Sequence, residues 1–316
     1  MLEIGGYLDM EKYHGLEYHD SALRLNLARN CLELLIKNRN IKKIFLPNYL
    51  CESIYVACKN SGINVEYYKI DNKLRPVIEC ELKKNEYIYI INYYGLLSDE
   101  YILSMKEKYN NIIVDNVQDF FRKPIMGIDT IYSCRKYFGV TDGAYMYTNI
   151  DVNIKEVDNS YDRLLYMCKR FEKSAQEAFE EYQENEKKLD SEKIKGMSKI
   201  TRNILRSLDY KYIKDVRTKN FNYLAKSLNR VNKLDLDEYK CDGPYMYPFY
   251  CQNGIEIRKK LISNKVYIAR LWPGFDGGSN FDMNYQEELS NNILPIPCDQ
   301  RYTEKDMQKI IDIIQF

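Results

Sequence analysis

The sequence predicts an α/β protein: a large domain built on a mostly parallel sheet, followed by a small C-terminal α+β domain. Three observations point there. Short apolar runs alternate with amphipathic helical segments from residue 21 to 150. The segment 160–229 is then almost wholly helical and charge-rich. From about residue 230 the pattern changes to a mixture of strands and helices. Strands separated by helical stretches call for crossover connections and a parallel sheet. The expected division is 1–229 and 230–316.

Taken in order, Leu23, Leu27, Cys31, Leu34 and Leu35 recur at helical spacing and predict a helix over 21–37. Lys43-Ile-Phe-Leu-Pro47 reads as a strand stopped by proline, and 52–61 as a helix closed by Gly62. Strands follow at 65–70 and 86–92, a helix at 99–109, and strands at 111–115, 130–133 and 144–148. Residues 161–193, with Glu180-Glu-Tyr-Gln-Glu-Asn-Glu-Lys-Lys188, read as one solvated helical stretch, and 200–228 as another. After the Asp242-Gly-Pro244 turn come a strand at 247, a helix at 255–263, a second strand, a glycine-rich loop at 274–279, a short helix and a strand at 293–296. The last helix, 303–314, has Thr303 as N-cap and Asp306 at N3.

Composition narrows the function. With 47 Lys+Arg against 46 Asp+Glu, the net charge of +1 argues against a nucleic-acid binder. No apolar run is long enough to span a membrane, and the first ten residues lack a basic-then-apolar signal pattern, so the expected location is cytoplasmic. Two histidines, His14 and His19, exclude a multi-histidine metal site. Nine scattered cysteines without a CxxC read as reduced, mostly buried thiols. The 30 tyrosines read as compositional bias.

The middle of the chain carries the chemistry. In an open parallel sheet, ligands bind beyond the carboxyl ends of the strands. Asp115 ends an apolar strand, and Gln118 follows it. Ser133 ends the next strand, followed by Arg135, Lys136 and Asp142-Gly143. A buried acid needs a partner. An acid, an amide, a hydroxyl and a lysine on one sheet edge suit pyridoxal 5'-phosphate (PLP): the acid for the pyridine nitrogen, the lysine to bond the cofactor, and the hydroxyl with helix N-terminal amides for the phosphate. Alone, a strand-end Asp is more often a cap, and a Lys beside an Arg is more often surface. The ordered set is what counts.

That order resembles the DegT/DnrJ-type sugar aminotransferases, PLP enzymes of fold type I. The matching stretches are Asn26-Leu-Ala-Arg-Asn-Cys-Leu32, Phe45-Leu-Pro-Asn-Tyr-Leu-Cys51, Asn92-Tyr-Tyr-Gly95, Val114-Asp-Asn-Val-Gln118, Ser133-Cys-Arg-Lys136 with Asp142-Gly-Ala144, and the closing Ile293-Leu-Pro-Ile-Pro-Cys298 and Tyr302-Thr-Glu-Lys-Asp306. The resemblance implies Lys136 as the lysine that bonds the cofactor and shuttles the proton. It implies Asp115 on the pyridine nitrogen, Gln118 on the ring hydroxyl, and Ser133 with the amides near Ala28 and Arg29 on the phosphate. A residue between Tyr49 and Cys51 would pack on the ring. It further implies a glutamate or glutamine donor, a nucleotide-linked keto-sugar acceptor, and a homodimer. Arg217 with Asn220, and Arg270 to Pro273 with Gly277-Gly278, are candidates for substrate or partner contacts, weighed against packing and capping roles. The chain departs from the family in its shortened Ser133-to-Lys136 interval, in Leu27-Ala-Arg29 at the phosphate turn and in Ala144. Two alternatives stay open: a different PLP reaction (lyase, dehydratase or amino-acid aminotransferase), and a silent relative kept as a binding subunit. A free lysine is protonated at neutral pH, so a nearby cation, Arg135 or Arg29, is expected to lower the Lys136 pKa.

Overall fold

Eight strands form one twisted sheet in the order β1-β8-β7-β6-β5-β2-β3-β4 in the computed structural model. It describes residues 4–236, 239, 242–274, 277–278 and 280–315. The central strands are β2 (Lys43–Pro47), β5 (Glu86–Ile91), β6 (Ile112–Asp115) and β7 (Asp129–Ser133), with β3 (Asn64–Ile70) beside β2. All five run parallel. β1 (Leu23–Leu25), β8 (Ala144–Tyr147) and β4 (Pro76–Val77) complete the edges through antiparallel pairing. Every residue of β6 and β7 is buried, which is why both read as unbroken apolar runs rather than alternating ones.

The chain moves outward from β2 to β3, then returns through β5 to β6 and β7. The reversal falls between β2 and β5, and the carboxyl ends of β2, β5, β6 and β7 lie along one edge of the sheet, where ligands bind in such folds. Around the sheet pack α1 (Ala28–Asn38), α2 (Glu52–Asn60) and α3 (Asp99–Tyr109). α1 buries Cys31, Leu32, Leu34, Leu35 and Ile36, and Ser98 caps α3 by accepting from the Tyr101 amide.

Beyond β8 come α4 (Leu165–Glu172), α5 (Phe179–Asp190), α6 (Lys199–Arg206) and α7 (Tyr210–Leu228). A second sheet pairs β9 (Met246–Tyr250) with β10 (Ile293–Pro297). It is flanked by α8 (Gly254–Ser263), α9 (Met283–Asn292) and α10 (Glu304–Gln315). As expected, Thr303 begins α10: its amide and hydroxyl both donate to Asp306, at 2.8 Å each.

Three expectations are corrected. Residues 23–25 form a strand rather than the start of a helix. Leu23, Leu25 and Leu27 also alternate with Arg24 and Asn26, and the Asn26 side chain accepts from the Leu27 amide, a local bond that competes with a helical turn. The stretch 161–193 is two helices, broken at 173–178, where Ser174 Oγ accepts from the Glu177 amide. The strand expected after α8 does not form. β9 and β10 pair only with each other, and that segment runs irregularly while burying Ile268 and Leu271. Of the loop 274–279, residues 275, 276 and 279 lie outside the described residues.

Glu17 fastens the N-terminal segment to the fold. It is buried, and its carboxylate meets Arg24 at 2.8 Å, Arg202 at 3.2 Å and Arg206 at 3.5 Å, with the Tyr145 hydroxyl donating at 2.8 Å. Burial by itself pushes the carboxyl up, but Arg24, Tyr145 and Arg202 outweigh it and hold Glu17 below the usual carboxylate range. An acid depressed in this way stabilises the fold above its unfolded pKa, and the contribution is lost as pH falls through the folded value. Glu17→Ala is expected to cost about 3 kcal/mol in urea unfolding at pH 7, because it leaves Arg24 with the exposed Asp20 alone and removes the buried partner of Arg202, Arg206 and the Tyr145 hydroxyl. The difference from wild type should shrink as the pH is taken below 4.

Candidate active site

Asp115 closes β6 with its carboxylate buried. One oxygen accepts from the Tyr89 hydroxyl at 2.8 Å and the other from the Val117 amide at 2.9 Å. Burial pushes its pKa up to about 6, against the pull of Val117, Tyr89 and the Lys136 ammonium. Gln118 is equally buried. Its Oε1 accepts from the Tyr94 amide at 2.8 Å, and its Nε2 donates to nothing. An unpartnered amide donor in a buried position marks a place for an acceptor.

Lys136 lies in the turn after β7, half-buried, with Nζ 5.4 Å from the centre of the Tyr245 ring. Burial works to lower its pKa, and Arg135 adds to that. Tyr245, Cys51 and Asp115 outweigh both and hold it above the ordinary lysine value. The expected lowering is therefore corrected for the ligand-free chain. The reason is that three groups capable of negative charge surround the amine. Arg29 does not assist, since its guanidinium reaches Asp190 at 3.2 Å and donates to the Leu189 carbonyl at 2.5 Å. Ser133, at the end of β7, lines the same cleft as Lys136. This cleft, about 940 Å³, is walled on its far side by Tyr182 and Glu186 of α5 and by Tyr245 and Arg301. Its size suits a small-molecule ligand.

Ala28 and Arg29 open α1, and the preceding Leu27 offers no side-chain cap. The Asn26 carbonyl accepts from the Gly143 amide at 2.5 Å, so this helix start sits against the loop that follows Lys136. Asn26 and Asn30 bind the Lys193 carbonyl and hold the segment after α5 over the same helix end. Cys51 opens α2 and is within electrostatic reach of Lys136. Tyr49 is different. Its ring stacks on Tyr93 at 5.5 Å and meets Trp272 edge-on at 4.7 Å, fully buried in an aromatic cluster. The structure thus brings Asp115, Lys136 and Cys51 within electrostatic range and sets Tyr49 into packing.

The motif glycine and acid around Lys136 have structural duties. Asp142 accepts from the Ser198 amide and hydroxyl, each at 2.7 Å, and from the Thr201 hydroxyl, at the start of α6. Arg217 and Asn220 are struts. Arg217 binds the carbonyls of Tyr137, Pro244 and Tyr245, and Asn220 Nδ2 reaches those of Cys298, Asp299 and Tyr302. Trp272 packs on Tyr49 and Tyr93. His19 is buried between the Phe120 carbonyl and the Tyr147 hydroxyl, with its pKa lowered to about 4 by burial.

Tyrosine is where the sequence reading fell short. Tyr89 binds Asp115, Tyr137 donates to the Gln118 carbonyl at 2.8 Å, and Tyr245 faces Lys136. Tyr94 holds a left-handed backbone (φ 54°) pinned by Gln118. Tyr89 had a readable signal: it shares a face with Ile91, which pairs with Asp115 across the ladder.

A carboxyl whose folded pKa is raised makes the fold less stable as pH climbs through that value. Asp115→Asn should therefore stabilise the cofactor-free protein by roughly 2 kcal/mol at pH 7. The advantage should narrow as pH falls towards 4. Urea unfolding across pH measures both.

No family model matches the chain, and no curated protein matches its sequence. Solved structures do match its fold. A DegT DnrJ EryC1 StrS aminotransferase from Brucella abortus superposes with a TM-score of 0.65 at 14% identity, covering 93% of this chain and 85% of that one. The sugar aminotransferase CalS13 from Micromonospora echinospora gives 0.65 at 12% identity, over 94% and 87% of the two chains. The putative sugar aminotransferase Spr1654 from Streptococcus pneumoniae, in its PLP form, gives 0.64 at 12%, over 93% and 86%. The fold is accordingly that of these aminotransferase structures, the fold-type-I architecture expected from the ordered motifs.

Proposed function

We propose that this chain is a PLP-dependent aminotransferase that passes an amino group from glutamate or glutamine to a keto-sugar carried on a nucleotide. One observation carries the reading: a buried Asp115 carboxylate coupled to Lys136 across the carboxyl edge of the sheet, with the unpartnered Gln118 amide beside it. The likeness of fold supports it. Among the similar structures, Spr1654 was solved in PLP and PMP forms, and DesI in the presence of its TDP-sugar product.

The residues suit the cofactor. Asp115 would hold a proton on the pyridine nitrogen, and a cation there would keep its carboxylate ionised despite burial. Gln118 Nε2 would donate to the ring hydroxyl, which answers its missing acceptor. Ser133 Oγ and the amides of Ala28 and Arg29 would take the phosphate, with the start of α1 adding its favourable dipole. Cys51, near Lys136, fits the ring-packing position better than Tyr49. When bound, PLP supplies an electron sink for the carbon that bears the amino group. The protein's own part is proton handling. Lys136 Nζ would be the group that accepts and gives back the proton, within electrostatic reach of Asp115.

The proposed assembly is a homodimer, as in the resembled family, and the proposed location is the cytoplasm. Among the described residues no helix is long and apolar enough to cross a membrane.

The test is the visible absorption spectrum of the purified protein with added PLP. Wild type should gain a band that borohydride fixes to the peptide containing Lys136, and Lys136→Ala should show neither. A wild type without a band would overturn the reading and leave a silent binding subunit as the alternative.

A further inference from the structure

The residues that hold Lys136 in place come from both lobes. Tyr137, its neighbour, is fastened at each end. Its hydroxyl donates to the Gln118 carbonyl at 2.8 Å, and its own carbonyl accepts from Arg217 at 3.1 Å and from Gln300 Nε2 at 3.0 Å. Arg217 is buried, and its remaining bonds go to the carbonyls of Pro244 (3.0 Å) and Tyr245 (3.1 Å) and to Gln300 Oε1 (2.8 Å). Its cationic plane also lies 4.5 Å from the centre of the Tyr137 ring. One planar guanidinium thus sets the backbone of Tyr137 and that of Tyr245 at a fixed separation, which its rigid fork of donors suits it to do.

We infer that Tyr245, delivered from the chain leading into β9 and fixed by Arg217, is a positioning residue whose ring face holds the Lys136 ammonium in the cleft. Nζ stands 5.4 Å from the ring centre, within the range in which an aromatic face attracts a cation. Nothing in the family resemblance assigns this role. The inference rests on the reading of Lys136 as the cofactor's lysine for its functional meaning, but not for its physical test.

The surroundings of Nζ are otherwise mixed. Asp115 faces it from β6, Cys51 from the start of α2, Arg135 from its own turn and Tyr182 from α5. Asp299 and Arg301 line the same cleft but hold each other through two bonds of 2.7 and 2.9 Å. Of the groups that act on the amine's charge, Tyr245 comes from the segment leading into β9, beside Asp299 and Arg301, which follow β10.

The experiment uses cofactor-free protein. Acetic anhydride acylates only the neutral amine, so the labelling rate of the Lys136 peptide across pH, read by mass spectrometry, gives its pKa. Tyr245→Leu should lower that value by about one pH unit, and Tyr245→Phe, which keeps the ring face and loses the hydroxyl, should lower it by less. Arg217→Lys, which keeps the charge and loses the fork, should lower it as well. Thermal melts on all three identify any variant that fails to fold, and Tyr245→Leu against Tyr245→Phe decides the matter if Arg217→Lys does not. An unchanged pKa in Tyr245→Leu would overturn the role of the ring. A fall in Tyr245→Phe as large as in Tyr245→Leu would overturn the role of its face in favour of the hydroxyl. An unchanged pKa in folded Arg217→Lys would overturn the strut. Loss of the PLP band in wild type would sink the proposed function, yet it would leave these labelling outcomes intact.

Discussion

A carboxylate at the end of a strand that is buried on both faces must be answered by positive charge or by directed donors, and Asp115 is that carboxylate. Among the described residues two hydrogen bonds reach it, from Tyr89 and Val117, with a more distant ammonium in Lys136. The supply is incomplete, which is why the group resists ionisation. Much of the architecture can be read as the consequence. The turn after β6 stays tight enough to give back an amide, and β5 contributes a tyrosine rather than another aliphatic residue. The turn after β7 carries its lysine within electrostatic reach of the same carboxylate. A site built in this way is least comfortable when empty, and a ligand bringing a cationic nitrogen would relieve it.

Around that pair one continuous apolar core takes in residues of both sheets, and polar struts are added to it. Arg217 and Asn220 on α7 hold carbonyls from both sides, and Trp272 reaches over to the aromatic cluster at the ends of β2 and β5. Trp272 keeps a left-handed backbone (φ 52°), an uncommon conformation for a bulky residue, which indicates that surrounding packing dictates its place. Hydrogen bonds to carbonyls are directional, so these struts define separation and angle between the lobes, whereas apolar contact alone would tolerate sliding.

Much of this was legible in advance, for physical reasons. The buried strands were plain because parallel strands covered on both faces must be apolar throughout, and Ile112-Ile-Val114 has no other sensible home. Asp115, Gln118 and Lys136 were legible as an ordered set, because the carboxyl edge of a parallel sheet is where such a set can act. The first strand was not legible: three leucines spaced by two, followed by others spaced by three and four, fit both periods, and only the edge offered by β8 decides between them. The tyrosines were hidden by their number. A hydroxyl aimed at Asp115 looks the same in sequence as one on the surface. Arg217 was noticed for the right reason, a guanidinium where contact matters, but its partners are carbonyls of this chain, and carbonyls carry no signature in a sequence.

β1 pairs with β8, and between them lie six of the sheet's other strands. On the ribosome this leucine-rich strand emerges long before its partner exists. It must wait, exposed, while the parallel strands are made and ordered. Closing so long a loop costs only modestly more entropy than closing a short one, so the delay is a matter of time rather than of final stability. During the wait the strand is open to pairing with other chains, a hazard common to slow, non-local sheets. The arginines flanking Glu17 are Arg24, seven residues on, and Arg202 and Arg206 of α6, made much later. The segment around Glu17 is therefore made well before the α6 arginines that lock it. A cell making this protein would meet its most vulnerable form in nascent chains that have not yet reached α6.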